Sequence, residues 1–192
     1  MAPRTYRVGR KIAVYGNSGS GKTTVGRELG RKLGVPYIEL DSIFHYRPRW
    51  EDRETEDFRE QVRLLLEQHT DGWVFDGNYS VVRELILGEA DTAVWLELPF
   101  PVVYFRLAWR TISRAARRQP LWNGNEETLK QTFLTKDSML LWGITSWRRS
   151  RRNTAQALRQ TPHNAAIHVL RSPREVRGFL ASVPPREGEL RS

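Results

Sequence analysis

The sequence predicts an α/β fold in which a parallel sheet is covered by helices on both faces. Three observations carry that expectation. Short runs that are apolar almost throughout, such as KIAVYG (11–16), WVFD (73–76) and TAVWLEL (92–98), alternate with longer segments of helical spacing. These runs do not alternate apolar with polar residues, as strands with one wet face would. The two halves share no motif, and 192 residues suit one domain with a core of its own.

Each element has its own justification. KIAVYG reads as a buried first strand ending in glycine. KTTVGRELGRKLG (22–34) has Val25, Leu29 and Leu33 at helical spacing and is stopped by Gly34. VPYIELD (35–41) is a second strand ending in Asp41, and SIFHYRPRW (42–50) a loop. Residues 52–70 open with acids and set Phe58, Val62, Leu65 and Leu66 on one face, as a helix does. WVFDGNY (73–79) is a third strand with Asp76 at its end, SVVRELIL (80–87) a short helix and TAVWLEL a fourth strand. A helix over about 101–118 leads into QPLWNGN (119–125), which has the Pro, Gly and Asn of a loop. Asn125 is the expected N-cap of a long helix running through Trp147. AAIHVLR (165–171) is a fifth strand, SPREVRGFL (172–180) a last helix, and 185–192 a disordered tail.

Composition narrows the partners. Lys and Arg number 31 against 22 Asp and Glu, a net charge of +9 that calls for acidic partners without naming them. The absence of cysteine excludes disulfides and thiolate metal sites. No apolar run approaches the roughly 20 residues of a membrane span, and no signal-peptide stretch follows the basic start. A soluble cytoplasmic protein is expected.

The chemistry is concentrated in GNSGSGKT, Gly16 to Thr23, which fits G-x-x-x-x-G-K-[ST] between a strand and a helix. Gly16, Gly19 and Gly21 allow successive backbone N–H groups, with those of Ser18, Ser20 and Thr24 nearby, to converge on a phosphate. The following helix adds the positive end of its dipole. Lys22 supplies a mobile charge for the β- and γ-phosphates, and the Thr23 hydroxyl a ligand for Mg²⁺. The expected ligand is a nucleoside triphosphate, ATP. Asp76, ending a strand at the carboxyl edge of the sheet, is the second expected Mg²⁺ anchor. Asp41 could accept a proton from an acceptor hydroxyl or only hold the acceptor in place. His45, Arg47 and Arg49 follow in the same loop as acceptor-binding candidates.

WRTISRAARRQP (109–120) extends a stripe of Arg106, Arg110, Arg114 and Arg118 at four-residue spacing, with Arg117 beside it. A solvated basic face would look the same, but this helix runs directly into the predicted mobile loop. Arginines on a closing lid are what phosphoryl transfer uses to meet charge on the transferred group.

GNSGSGKTT, the Leu40–Asp41 pair, the WVFDGNY strand and the arginine stripe before a short lid resemble the adenylate-kinase-like P-loop kinases. The resemblance is closest to the bacterial group labelled DNA topology modulation proteins. It includes GNEETL (124–129) and DSMLLW (137–142) and runs from about Lys11 to Phe179. It implies a three-layer P-loop kinase domain over 1–184, a five-stranded sheet in order 2-3-1-4-5, and an arginine-rich lid over about 114–127. Arg106 and Arg110 match adenylate-kinase arginines that contact adenine and phosphates, and Arg110, Arg114, Arg117 and Arg118 join Lys22 and Asp41 as catalytic candidates. Ser172, Pro173 and Arg174 lie where the family wraps a loop around the adenine. True adenylate kinases follow the third strand with a Phe-Pro-Arg segment that grips the acceptor monophosphate. Here DGNYSVVR stands instead, and its first arginine, Arg83, becomes the acceptor-binding candidate. Another nucleotide, or a small hydroxyl compound in the manner of shikimate or gluconate kinases, is therefore equally open as acceptor.

The alternative function is nucleotide-dependent DNA binding. WRRSRRN (147–153) is its best candidate surface, although basic residues late in a helix also complement the helix dipole.

Overall fold

The computed structural model describes residues 6–45, 53–117, 139–162 and 164–185, with backbone alone for 110–112, 114–117 and 139–146. In chain order the elements are β1 (Lys11–Gly16), α1 (Lys22–Leu33), β2 (Tyr37–Glu39), α2 (Leu40–Phe44), α3 (Thr55–Gln68), β3 (Trp73–Asp76) and α4 (Ser80–Glu89). There follow β4 (Thr92–Leu96), α5 (Phe100–Arg117), α6 (Met139–Gln160), β5 (Ala166–Leu170) and α7 (Pro173–Ser182). The five strands form one parallel sheet in the order β2-β3-β1-β4-β5, as the resemblance implied.

The sheet is three-layered because successive strand residues point to opposite faces and both faces are apolar. Ile12, Val14, Val74, Val94 and Leu96 pack under α1 and α7 with Val25, Leu29 and Phe179. Ala13, Tyr15, Trp73, Phe75, Ala93 and Trp95 face α3, α4 and α6 through Phe58, Val62, Val82, Ile86 and Leu158. β1, β3 and β4 are buried almost end to end, whereas the edge strands β2 and β5 are only partly covered.

Strands and helices are mostly trimmed by a few residues at their ends, and one such difference bears on the site. β2 stops at Glu39, and Leu40–Phe44 form a helical turn, so Asp41 is not a strand end. Register explains this. The last β2–β3 pair is Glu39 with Asp76, beyond which β3 gives way to Gly77, whose missing side chain admits Leu40. A Cβ on Gly77 would stand 2.8 Å from Leu40 Cβ. With Leu40 1% exposed, the chain turns inward, and Ser42 Oγ fixes the turn by donating to the Glu39 carbonyl at 2.7 Å.

Candidate active site

The carboxyl edge of β1 opens into the loop Asn17–Gly21, which returns as α1. Gly19 (φ 84°) and Gly21 (φ 95°) take left-handed conformations that only glycine adopts without strain. Gly19 also sits against α5, where an added Cβ would stand 2.5 Å from the Val103 carbonyl. α1 starts with no side-chain cap and no acid in its first turn, which leaves its N–H groups and dipole to an anion. Ser20 Oγ is buried in the loop with no hydrogen-bond partner among the described residues, and Ser18 is half-buried beside it. Arg106 of α5 reaches in, its Nη1 donating to the Ser20 carbonyl at 3.4 Å. From the other side Asn17 Nδ2 donates to the Trp147 carbonyl of α6 at 3.3 Å. Thr24 is exposed and, with Thr23, ends a groove of about 710 Å³ that follows α1 past Arg27 to Leu180 and Ala181 of α7.

Thr23 and Asp76 are brought together as expected. Thr23 Oγ1 stands 3.1 Å from Asp76 Oδ2 and 3.3 Å from Glu39 Oε1, one hydroxyl proton between two carboxylates. Asp76 is 2% exposed, and its Oδ1 is buried with no hydrogen-bond partner among the described residues. Burial raises its pKa; nearby Lys22 and the Tyr37 hydroxyl oppose this, and the charges of Glu39 and Asp41 add to it. An orphaned carboxylate oxygen beside a threonine hydroxyl, in an excess of negative charge, suits a hard divalent cation. Among the described residues no three His, Cys, Asp or Glu side chains form a metal site by themselves, so phosphate and water would complete the coordination.

Asp41 lies on α2, where Tyr79 donates to its Oδ1 at 2.8 Å. His45 follows at the end of α2, its ring edge-on to Phe44 at 5.1 Å. Arg83 of α4 donates to the Asn78 carbonyl at 3.4 Å, at the mouth of the same edge. Ser172 caps α7, accepting from the Glu175 N–H at 3.1 Å, with Pro173 in the first turn and Arg174 exposed. Arg110, Arg114 and Arg117 lie on the α5 backbone, and their side chains are not among those described. Arg47, Arg49, Arg118 and the rest of the expected lid lie outside the described residues.

Five residues near this edge were not expected. Glu39 stands two places before Asp41, so the E-L-D spacing could have revealed it as a second carboxylate of the site. Asn78 clamps the start of the phosphate loop, accepting from the Gly16 N–H at 3.3 Å and donating to the Gly16 carbonyl at 2.7 Å. Arg59 of α3 donates to the Val81 carbonyl. Tyr37 donates to Asp76 and Tyr79 to Asp41. These four contacts join distant parts of the chain, and no local pattern signals them.

The family model described as shikimate kinase matches residues 18–141. A curated shikimate kinase of Paracidovorax citrulli is 42% identical over 64 residues, which cover 29% of this chain and 35% of that protein. One of Mycobacterium avium is 36% identical over 102 residues, 46% of this chain and 56% of that protein. The chain thus spans between about a third and just over half of the curated relatives it matches. A solved gluconokinase of Sinorhizobium meliloti superposes with a TM-score of 0.54 at 17% identity, covering 93% of both chains. A shikimate kinase of Acinetobacter baumannii in complex with shikimate gives 0.51 at 16% identity, covering 91% of this chain and 90% of that one. The structural likeness speaks for the fold, that of a P-loop kinase. These relatives lend no support to the DNA topology modulation label.

Proposed function

The chain belongs to the shikimate kinase family, and on that premise we propose that it moves the γ-phosphoryl group of ATP to a small hydroxyl-bearing acceptor. Shikimate and hydroxy acids of similar size are the first acceptors to test. The observation that carries this reading is the gathering of Lys22, Thr23, Glu39 and Asp41 around buried Asp76.

In this reading the phosphate loop and the start of α1 hold the triphosphate, and Lys22 meets its outer phosphates. Thr23 and Asp76 would hold Mg²⁺, which when bound neutralises charge on the phosphate oxygens. Asp41 faces the acceptor, either taking the proton of its attacking hydroxyl or fixing its position. With Tyr79 on Oδ1, Asp41 Oδ2 is the oxygen that serves. His45 and Arg83 flank the acceptor. Arg106, already at the loop, contacts nucleotide, and Arg110, Arg114, Arg117 and Arg118 meet the charge of the transferred group. Ser172, Pro173 and Arg174 border the adenine.

The test is an acceptor screen on purified protein with ATP and Mg²⁺, read as ADP formed, with Lys22→Ala as the control. A hydroxy acid should support turnover that Lys22→Ala abolishes without lowering the melting temperature. Turnover that survives in Lys22→Ala would overturn the reading.

A further inference from the structure

Tyr37 begins β2, and its ring lies beneath α1 in space that two glycines of that helix leave open. A Cβ on Gly26 would stand 2.5 Å from Tyr37 Cε2, and one on Gly30 3.2 Å from Tyr37 Cβ. Arg27 covers the ring, its guanidinium carbon 5.6 Å from the centroid. The ring is thereby held, and its hydroxyl is aimed at the Thr23–Asp76 pair. It donates to Asp76 Oδ2 at 2.9 Å, the same oxygen that Thr23 Oγ1 approaches at 3.1 Å. Asp76 therefore has two hydrogen-bonding neighbours on one oxygen and, among the described residues, none on the other, although the side chain is buried.

That asymmetry is unusual. A buried carboxylate oxygen without a partner is unfavourable, and a second donor would normally be shared out to it. Here the Tyr37 donor is instead added to the oxygen already facing Thr23. We propose that Tyr37 is a positioning residue for the divalent cation: its hydroxyl fixes Asp76 through Oδ2 and reserves Oδ1 for the cation or a water bound to it. Outer hydrogen bonds of this kind orient metal ligands, and removing one typically weakens metal binding 10- to 100-fold. The proposal rests on the kinase reading, since it presumes that a cation arrives with the nucleotide between Thr23 and Asp76.

A merely structural tyrosine would behave differently. Tyr37→Phe keeps the ring against Gly26, Gly30 and Arg27 and removes only the donor. If the hydroxyl serves the fold, the variant loses stability and binds the cation as before. If it serves the cation, the fold stays and cation affinity falls.

The experiment uses Mn²⁺ as the probe, titrated into the whole chain saturated with ADP, with free Mn²⁺ followed by its paramagnetic resonance signal. ADP binding in EDTA is measured alongside. Tyr37→Phe is expected to weaken Mn²⁺ about tenfold and to leave metal-free ADP binding within about twofold. In an Asp76→Asn background the same change should add less than about twofold, because Tyr37 acts through Asp76. Unaltered Mn²⁺ affinity, a full tenfold loss added to Asp76→Asn, or a Tyr37→Phe chain that does not fold would each overturn the proposal. Failure of the wild-type chain to bind Mn²⁺ with ADP would instead sink the kinase reading.

Discussion

Asp76 is 2% exposed, and burial raises its proton affinity more than Lys22 and the Tyr37 hydroxyl lower it. The folded chain then holds this proton more tightly than the unfolded chain does. In metal-free buffer, stability conferred by the protonated form is present at low pH and is lost as pH rises through the raised pKa. Asp76→Asn removes the buried charge, so in EDTA it should melt a few degrees above wild type at about pH 8, and the difference should vanish near pH 4. Melting curves at both values check this; a variant less stable at pH 8 would show that Asp76 supports the fold. Tyr79→Phe tests the acceptor side. It frees Asp41 Oδ1 and should lower kcat roughly 3- to 10-fold, the worth of one hydrogen bond, while KM for ATP stays put. Steady-state kinetics in both substrates separate the two constants. At this scale the sequence was partly legible. The proximity of Lys22, Thr23 and Asp76 could be anticipated because a contiguous motif and a strand end announce them. The places of Tyr37, Asn78 and Tyr79 could not, because each is set by a hydrogen-bond partner 38 to 62 residues away.

Among the elements, α5 carries most of the proposed arginines. Val103 and Leu107 press it against Gly19, and Arg106 reaches the Ser20 carbonyl, so its inner end is fixed to the phosphate loop before nucleotide arrives. Arg106→Ala should therefore weaken ATP binding directly. Arg114→Ala and Arg117→Ala should lower kcat far more than ATP affinity, because a guanidinium that meets the γ-phosphoryl group only in the closed form acts on the transition state. ATP titration and turnover on the three variants test the pattern; arginines on a merely solvated face would change neither constant much. The elements themselves were largely legible, since strands apolar throughout and helices of 3.6-residue period are strong signals. α2 was missed because its turn depends on Leu40 entering the space above Gly77, a tertiary contact that overrides the extended look of YIELD.

The whole molecule carries a net charge of +9, and α6 contains no acid. Arg151 is paired with Glu97 at 2.7 Å, whereas Arg148, Arg149 and Arg152 are exposed. Weak association with duplex DNA is the expected consequence. It should be indifferent to sequence and fall roughly 10³- to 10⁵-fold between 50 and 200 mM salt if 6–10 phosphates are contacted. Anisotropy titrations at both salts test it, and tight sequence-selective binding at the higher salt would favour the DNA-binding alternative. α5 and α6 grip one loop from two sides, through Arg106 on Ser20 and through Asn17 on Trp147. The loop is thus a shared pivot for two levers. A triphosphate that shifts Asn17 or Ser20 would either break these two hydrogen bonds or carry the helices with them. Where the helices are carried, by reciprocity, a polyanion that clamps the outer face of α6 in one position must change nucleotide affinity by the same factor that nucleotide changes the clamp.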